Sequence, residues 1–213
     1  MPKVQLKSLS TGLHPIAQKA VARKHLNILL SKLPEGSTAY VAGGAPRDWH
    51  HGWGCRDIDI FFSVPEEFKV HVTNELDKEH PKIIEDYSDY GYGVDGNGLL
   101  HSVHEYDATK YSPKAKSTQY TKVQLIQTKK DALQVIKQFP ISLSRIWMDK
   151  EGTIECDFFY ANSYNNRIIN ELNETHGWNY TYLDKILGRF EMYSFVPMRW
   201  GGKRDVEEQL DTE

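Results

Sequence analysis

The sequence predicts an α/β (α+β) fold, in which a mixed central sheet is flanked by helices and followed by a small helical C-terminal part. Two short apolar segments, 38–42 and 57–63, have the length and the residue types of strands. Apolar residues recur at helical spacing on either side of them. After about residue 160 the composition shifts toward two further helical stretches. We therefore expect a sheet domain over residues 1–160, with a helical extension over residues 161–213 packed on it.

Helices are predicted where apolar residues recur every three or four positions. In the first helix the apolar residues from Ile16 to Leu33 lie among Lys, Arg and Gln, and Pro15 suits the first turn. Pro65 opens another helix in the same way. The predicted helices cover residues 15–33, 46–52, 65–78, 131–138, 162–174 and 182–195.

Strands are predicted where apolar residues alternate or form short runs. Ile58 and Ile60 face one side of the second strand, and the residues between them face the other side. Residues 86–119 mix turn-forming residues with tyrosines, so an irregular segment is expected there, with a strand near Tyr106. The last two strands form a hairpin around residues 149–152. The predicted strands cover residues 38–42, 57–63, 82–85, 122–127, 141–148 and 153–159.

The bulk composition limits the class of protein. The chain has 213 residues, of which 39% are hydrophobic and 26% are charged, as in ordinary globular proteins. Its net charge of -3 provides no global basic field, so a nucleic-acid partner would need a local patch. The N-terminal residues lack the apolar run of a signal peptide, and no stretch approaches the roughly 20 apolar residues of a membrane span. We expect no membrane partner and a cytoplasmic location, where Cys55 and Cys156 would be free thiols.

The chemistry centres on Asp57 and Asp59, two carboxylates at alternate positions of one strand. Such side chains point to the same side of a sheet. Like charges that close raise each other's pKa, so the pair is unfavourable unless a cation is bound. Mg²⁺ suits the pair, because it takes one or two protein carboxylates and keeps positions for phosphates and water. The alternative is a solvated strand face, which a lone Asp-x-Asp usually marks.

Gly43 and Gly44 end the preceding strand, directly before a predicted helix. Glycine there lets the backbone approach a phosphate with no Cβ in the way. The amides at the start of the next helix then face an anion. A lone Gly-Gly is most often only a turn. In combination with the Asp-x-Asp strand it predicts a phosphate-binding turn beside a metal-binding strand.

The two motifs together resemble the DNA polymerase β nucleotidyltransferase superfamily. The residues that carry the resemblance are 40–48 (YVAGGAPRD) and 56–61 (RDIDIF). The Gly-Gly-x-x-Arg-Asp form is similar to the head domain of the poly(A) polymerase and CCA-adding tRNA nucleotidyltransferase class. The later strand-helix-strand order is also similar to that of predicted nucleotidyltransferases of phages and large viruses. If the protein is viral, the expected location is the host cytoplasm.

The resemblance implies a role for each member of the two motifs. Asp57 and Asp59 would be catalytic and would bind Mg²⁺. Gly43 and Gly44 would hold the triphosphate of the nucleotide.

The neighbouring charged residues would also bind the nucleotide. Arg47 and Asp48 would order the loop and contact the nucleotide, or they would form only an ion pair at the helix start. Arg56 would neutralise phosphate charge, or it would pair with a surface acid.

The sequence departs from the superfamily pattern at the third catalytic carboxylate, which members commonly bring from a later strand. Residues 122–127 offer only amides in that place. Asp157 and Asp107 are the candidates, and we favour Asp157 as the third catalytic residue, although a surface acid beside a turn is the alternative. The nucleobase-selecting motifs of CCA-adding enzymes are not found, and the chain is shorter than their full helical body requires, which disfavours a complete CCA-adding enzyme.

The function expected from these residues is Mg-dependent transfer of a nucleoside monophosphate from an NTP to a hydroxyl group, with release of pyrophosphate. The acceptor would be an RNA 3′ end such as that of tRNA, a protein, or a small molecule. The alternative is a catalytically inactive nucleotide- or RNA-binding regulatory module with the same fold.

Overall fold

The structure, a computed structural model, describes residues 15–79, 99–107, 122–172 and 180–197. The helices are α1 (Pro15–Lys32), α2 (Gly44–His50), α3 (Lys69–Glu79), α4 (Ala132–Ile136), α5 (Phe158–Asn166) and α6 (Tyr180–Arg189). The strands are β1 (Thr38–Ala42), β2 (Asp57–Ser63), β3 (Leu100–Asp107), β4 (Lys122–Thr128), β5 (Ile146–Met148), β6 (Ile154–Cys156), β7 (Ile168–Asn170) and β8 (Ser194–Val196). Single 3-10 turns at Glu66–Phe68 and Ser142–Ser144 precede α3 and β5.

Six strands form one mixed sheet in the order β3-β4-β2-β1-β5-β6. Strands β2 and β4 are parallel, and the other neighbours are antiparallel. The predicted mixed α/β fold with flanking helices is therefore confirmed. Strand β1 pairs with β2 so that Ala42 lies opposite Asp59. This register places the end of β1 beside the start of the acidic strand.

The alternation along β2 divides the core into two layers. Ile58, Ile60 and Phe62 are fully buried in a cluster that also contains side chains of α1, α2 and α3. On the opposite face, Phe61 packs with residues of α4 and with Phe139, and the two rings lie 5.1 Å apart. Asp57 and Asp59 share the face of Phe61, so they lie where the apolar cover of that face gives way to polar residues.

The C-terminal part has a core of its own, and it is less helical than predicted. Tyr160, Ile169 and Phe190 are buried there with side chains of the segment before β5. The predicted helices over 162–174 and 182–195 are wrong in extent, because α5 and α6 end early and are followed by the parallel strands β7 and β8.

Backbone conformation explains the early end of α5. Arg167 adopts the left-handed conformation, with φ 55°, and terminates α5. Asp157 caps the start of α5, so the predicted strand 153–159 stops at Cys156. The expected domain boundary between residues 160 and 161 lies within α5 and stays a prediction.

Some sequence predictions are tested only in part. The strand expected near Tyr106 is confirmed as β3. The strand predicted over 82–85 and most of the irregular segment 86–119 lie outside the described residues. Cys55 and Cys156 are free thiols, as expected. None of the helices in the described ranges has both the length and the apolar character needed to cross a membrane.

Replacing Asp131 with alanine should destabilise the fold, because its side chain caps α4 and also ties that helix to β1. One carboxylate oxygen accepts from the backbone N–H of Gln134 at 3.0 Å, and the other accepts from the Thr38 hydroxyl at 3.1 Å. We expect the free energy of unfolding to fall by about 1–2 kcal/mol, as measured by urea denaturation. Asp131→Asn retains a capping oxygen and should lose less than half of that. Equal stability of Asp131→Ala and the wild type would contradict this role.

Candidate active site

The acidic pair, Asp57 and Asp59, lies at the start of β2. Asp57 and Asp59 point to the same face, and Asp59 lies opposite Ala42, the last residue of β1. Asp57 is exposed, whereas Asp59 is half-buried. The structure thus brings the two predicted metal ligands together and sets them beside the glycine turn.

The Asp59 carboxylate is partly buried, and one of its oxygens has no hydrogen-bond donor among the described residues. Its Oδ1 atom is buried and receives no hydrogen bond from any described residue. Burial, followed by the charge of Asp57, raises the pKa of Asp59 to about 7, against the opposing effect of Arg47. Burial also raises the pKa of Asp57. A buried acceptor with no donor is rare in native proteins and is the kind of group that a bound cation would satisfy.

The glycine turn leaves space next to this carboxylate. Gly43 has φ 73° and ψ -122°, a backbone conformation that residues with a side chain rarely adopt. A Cβ atom built on Gly43 would lie 3.9 Å from Asp59 Oδ2 and 3.8 Å from Phe139 Cε2. Gly44 begins α2. The turn therefore brings bare backbone up to the acidic pair, as a phosphate-binding role requires.

Arg47 and Asp48 lie in the interior, where they join α2 to α6. Arg47 Nε donates to Asp48 Oδ1 at 3.2 Å, and Arg189 Nη2 lies 2.9 Å from Asp48 Oδ2. The Arg47 guanidinium also lies over the Phe190 ring, 5.0 Å from its centroid. This geometry supports the loop-ordering part of their expected role. Direct contact with a nucleotide stays a prediction.

A cationic rim surrounds Asp57. The charges of Lys122, Arg56 and Lys185 act to lower the pKa of Asp57 against the effect of burial. All three side chains are exposed. Arg56 is thus placed where the expected contact with phosphate is possible, and Lys122 and Lys185 extend that rim from β4 and α6.

Glu105 is the residue that sequence reasoning missed. Asp59, Gln124 and Glu105 lie side by side on β2, β4 and β3, so their side chains share one face. Glu105 is 8% exposed, accepts from Gln124 Nε2 at 3.1 Å and pairs with Lys122 Nζ at 3.3 Å. Two strand spacings put it about 10 Å from Asp59. The acidic alternation of Glu105 with Asp107 was the available signal, but the strand register that selects Glu105 is a tertiary property.

Asp157 does not lie with the pair. It follows β6, which is three strands away from β2 in the sheet, or about 14 Å. Its Oδ1 accepts from the backbone N–H of Tyr160 at 2.9 Å, and its Oδ2 lies 3.5 Å from Arg145 Nη1. One oxygen therefore caps α5 and the other pairs with the residue before β5, and the expected catalytic role of Asp157 stays a prediction. Asp107, the other candidate, occupies the register position opposite Lys122.

The donor set suits a hard divalent ion with open coordination positions. Among the side chains that the structure describes, no group of three or more His, Cys, Asp or Glu residues is arranged to hold a metal ion. Two carboxylates with one unsatisfied buried oxygen match Mg²⁺, which keeps several positions for water and phosphate. A cavity of about 410 Å³ lies at the other end of β1, between Leu33 and Lys150, away from the pair.

The comparisons with known proteins give similarity of shape only. No protein-family model and no curated protein matches the chain. Three similar solved structures are a tRNA-processing enzyme in apo form I, the Bacillus stearothermophilus CCA-adding enzyme in complex with CTP, and the Thermotoga maritima CCA-adding enzyme complexed with tRNA_CCA. Their identities to this chain are 14%, 22% and 13%, and their TM-scores are 0.49, 0.45 and 0.48. The alignments cover 84%, 76% and 89% of this chain, but only 44%, 35% and 42% of those chains.

Alanine at position 43 should be far more damaging than alanine at position 44. Gly43→Ala places a Cβ on a backbone with φ 73°, which costs about 1–3 kcal/mol or forces the turn to move away from Asp59. Gly44→Ala meets only Arg47 Nη2 at 3.6 Å, an ordinary contact, so its stability should stay within about 0.5 kcal/mol of the wild type. Urea denaturation of both variants measures the difference. Equal effects would show that the turn conformation is unimportant.

The stability of the metal-free protein should depend on the protonation of Asp59. The pKa of Asp59 is about 7 in the folded protein and has an ordinary value of 3.8, so between these pH values the folded state holds a proton that the unfolded state has lost. The Asp59 contribution is therefore fully present below about pH 4 and is lost as the pH rises through 7. Metal affinity should change in the opposite sense, rising about tenfold per pH unit up to pH 7, because that proton must leave.

Urea midpoints at pH 5 and pH 8 test the first effect, and Mn²⁺ titration over the same range tests the second. Asp59→Asn is the control, since it cannot titrate. If the difference in stability between the wild type and Asp59→Asn is constant across this range, the raised pKa is wrong.

Proposed function

We propose that this chain is a Mg-dependent nucleotidyltransferase, which moves a nucleoside monophosphate from an NTP to a hydroxyl acceptor and releases pyrophosphate. The observation that carries the proposal is the buried Asp59 oxygen without a donor, paired with Asp57 and set against the backbone of Gly43. This combination provides ligands for a divalent cation and room for a phosphate in one place. The Gly-Gly-x-x-Arg-Asp motif adds the resemblance to the nucleotidyltransferase superfamily.

Different residues of the chain would take part in different steps of this reaction. Asp57 and Asp59 would hold Mg²⁺, which supplies charge neutralisation for the triphosphate and lowers the pKa of a coordinated hydroxyl. The Gly43–Gly44 turn would let the phosphates approach the backbone closely at the end of β1. Arg56 and Lys122 would offset the charge of the pyrophosphate as the bond between the α-phosphate and the leaving oxygen breaks. The acceptor oxygen forms the new bond to that phosphate, and its proton passes to a carboxylate or to solvent.

Glu105 supports the same face from β3. Its contacts with Lys122 and Gln124 hold both side chains from the β3 side, on the same face of the sheet as the acidic pair. We propose that Glu105 acts as the third acid of the site, in place of Asp157. In this role it fixes the position of Lys122 beside the phosphates, and it adds negative charge that favours a bound cation.

The acceptor is proposed by chemical class. A hydroxyl of an RNA 3′ end, such as that of tRNA, is the first acceptor to test, since the exposed cations Arg56, Lys122 and Lys185 supply a local basic patch on an otherwise acidic chain. A protein hydroxyl and a small-molecule hydroxyl are the other two. A cytoplasmic location is part of the same proposal.

A regulatory module that binds a nucleotide or RNA without turnover is the second candidate. The observation in its favour is that the Glu105 carboxylate is already engaged by Lys122 and Gln124. An acid held in this way is less available to a second metal ion. The two candidates predict the same binding and differ only in turnover.

Replacing the acidic pair should abolish transfer. Each NTP, labelled on the α-phosphate, is incubated with Mg²⁺ and with pools of RNA, protein and small-molecule acceptors. Asp57→Asn and Asp59→Asn should lower the rate at least about 100-fold, because a bound metal contributes several kcal/mol to the transition state and each 1.36 kcal/mol is tenfold. Glu105→Gln should lower it less, since the glutamine oxygen can still accept a hydrogen bond from Lys122 and neither metal ligand is changed.

Glu75→Gln is the matched control, because Glu75 is an exposed acid on α3 that pairs with Lys78 of the same helix. It should leave the rate unchanged. Tight Mg-NTP binding without a labelled product from any pool would favour the regulatory module. The absence of both binding and product would rule out both candidates.

A further inference from the structure

The Gln18 side chain forms a buried junction between α1, α2 and the segment that leads into β2. Gln18 is 2% exposed, although it is polar and belongs to a helix. Its Oε1 accepts from Trp49 Nε1 at 3.1 Å and from the backbone N–H of Cys55 at 2.9 Å. Its Nε2 donates to the backbone carbonyl of Cys55 at 2.9 Å. One amide therefore satisfies both backbone groups of Cys55, as a neighbouring strand would.

The thiol of Cys55 completes this junction. Its Sγ lies 3.4 Å from Gln18 Oε1 and donates to it. Cys55 lies two residues before Asp57. Gln18 therefore hydrogen-bonds to the residue two positions before Asp57, the first of the two proposed metal ligands.

A second side chain holds the same segment from the C-terminal part. Arg189 Nη2 donates to the carbonyl of Gly54 at 3.0 Å while it pairs with Asp48. Residues 53–56 belong to no helix or strand, so the neighbouring backbone gains its order from side chains of α1 and α6. We name the contacts of Gln18 and Arg189 with Gly54 and Cys55 the 54–55 clamp.

The position of Asp57 depends on the 54–55 clamp more than the position of Asp59 does. The ladder between β1 and β2 begins at the pair of Ala42 and Asp59, and it does not include Asp57. Among the described strands, Asp57 is paired only with β4, where it lies opposite Lys122. Its position is therefore set by β4 on one side and by the preceding clamped residues on the other. A metal ligand has to be held to within about 0.5 Å, which a frayed strand start would not achieve.

We infer that Gln18 is a positioning residue of the candidate active site, which holds Cys55 so that Asp57 is aligned with Asp59 to bind a divalent cation. The inference rests on the proposed function, because it assigns Gln18 to the metal site of that reaction. Gln18 does not touch the metal or the substrate. It acts through the backbone of Cys55.

The test compares Gln18→Leu and Gln18→Glu with two controls. Gln18→Leu removes the amide at similar volume, and Gln18→Glu keeps the volume but sets a carboxylate oxygen against the Cys55 carbonyl. Asn27→Leu removes another tertiary hydrogen bond of α1, the one from Nδ2 to the Lys150 carbonyl at 3.3 Å. Trp49→Phe removes only the contact of Gln18 with α2 and spares the contact with Cys55.

The measurement is direct Mn²⁺ binding, at a temperature where every variant is folded, together with the Mg²⁺ concentration that half-saturates NMP transfer. Both Gln18 variants should weaken Mn²⁺ binding about 10–100-fold, as removal of an outer-shell partner does. Their transfer rate should recover at saturating Mg²⁺. Asn27→Leu and Trp49→Phe should keep the wild-type affinity, whatever they do to the melting temperature.

Each other outcome counts against the inference. If folded Gln18 variants bind Mn²⁺ as tightly as the wild type and only melt earlier, Gln18 is a stability residue and the positioning role is wrong. If neither Gln18 variant folds, Gln18 is likewise a stability residue and the positioning role is wrong. If the wild type binds no Mn²⁺ at millimolar concentration, the proposed function fails, and the inference fails with it. A wild type that binds Mn²⁺ beside variants that are unaffected overturns the inference alone.

Discussion

The repulsion between Asp57 and Asp59 is the constraint on which the rest of the site depends. Two carboxylates on one face of a strand oppose each other, and burial of Asp59 Oδ1 removes the water that would relieve the strain. The fold tolerates the pair because Lys122 and Arg56 lie near Asp57 and because Asp59 holds a proton up to about pH 7. The proton on Asp59 therefore contributes little to the stability of the metal-free protein once the pH rises above 7. The pair is understandable as a site that a cation completes.

The C-terminal part is tied into this site by ionic and aromatic contacts. Asp48 is held between Arg47 from α2 and Arg189 from α6, and Phe190 packs against the Arg47 guanidinium. The same Arg189 reaches the Gly54 carbonyl before β2. Since charged groups with so little exposure cost free energy unless they are paired, loss of one partner would disturb both elements. Asp48 and Arg47 therefore join α6 to α2, the helix that follows the glycine turn.

Local patterns predicted the elements that form the site, and they failed where tertiary pairing decides the outcome. The apolar run of β1 stops before Gly43, and the alternating run of β2 begins at Asp57. The sequence therefore predicts the bounds of both strands. By contrast, the place of Glu105 depends on the antiparallel pairing of β3 with β4, which no local pattern encodes. The strand predicted over 153–159 ends before Asp157. An acid after apolar alternation looks like a strand residue, whereas the Asp157 side chain caps a helix. The end of α5 was missed because a left-handed Arg167 has no sequence signal comparable to glycine.

The Gly-Gly-x-x-Arg-Asp motif therefore has two physical parts. Gly43 leaves open space beside Asp59, and Gly44 begins α2 without a side chain. Arg47 and Asp48 are 6% and 3% exposed, so they are buried in the junction of α2 with α6. A motif that is read from sequence as one nucleotide-binding unit is, in three dimensions, an open turn followed by an internal brace. Because the brace and the 54–55 clamp share Arg189, the turn before α2 and the strand start after it are held by one connected set of contacts.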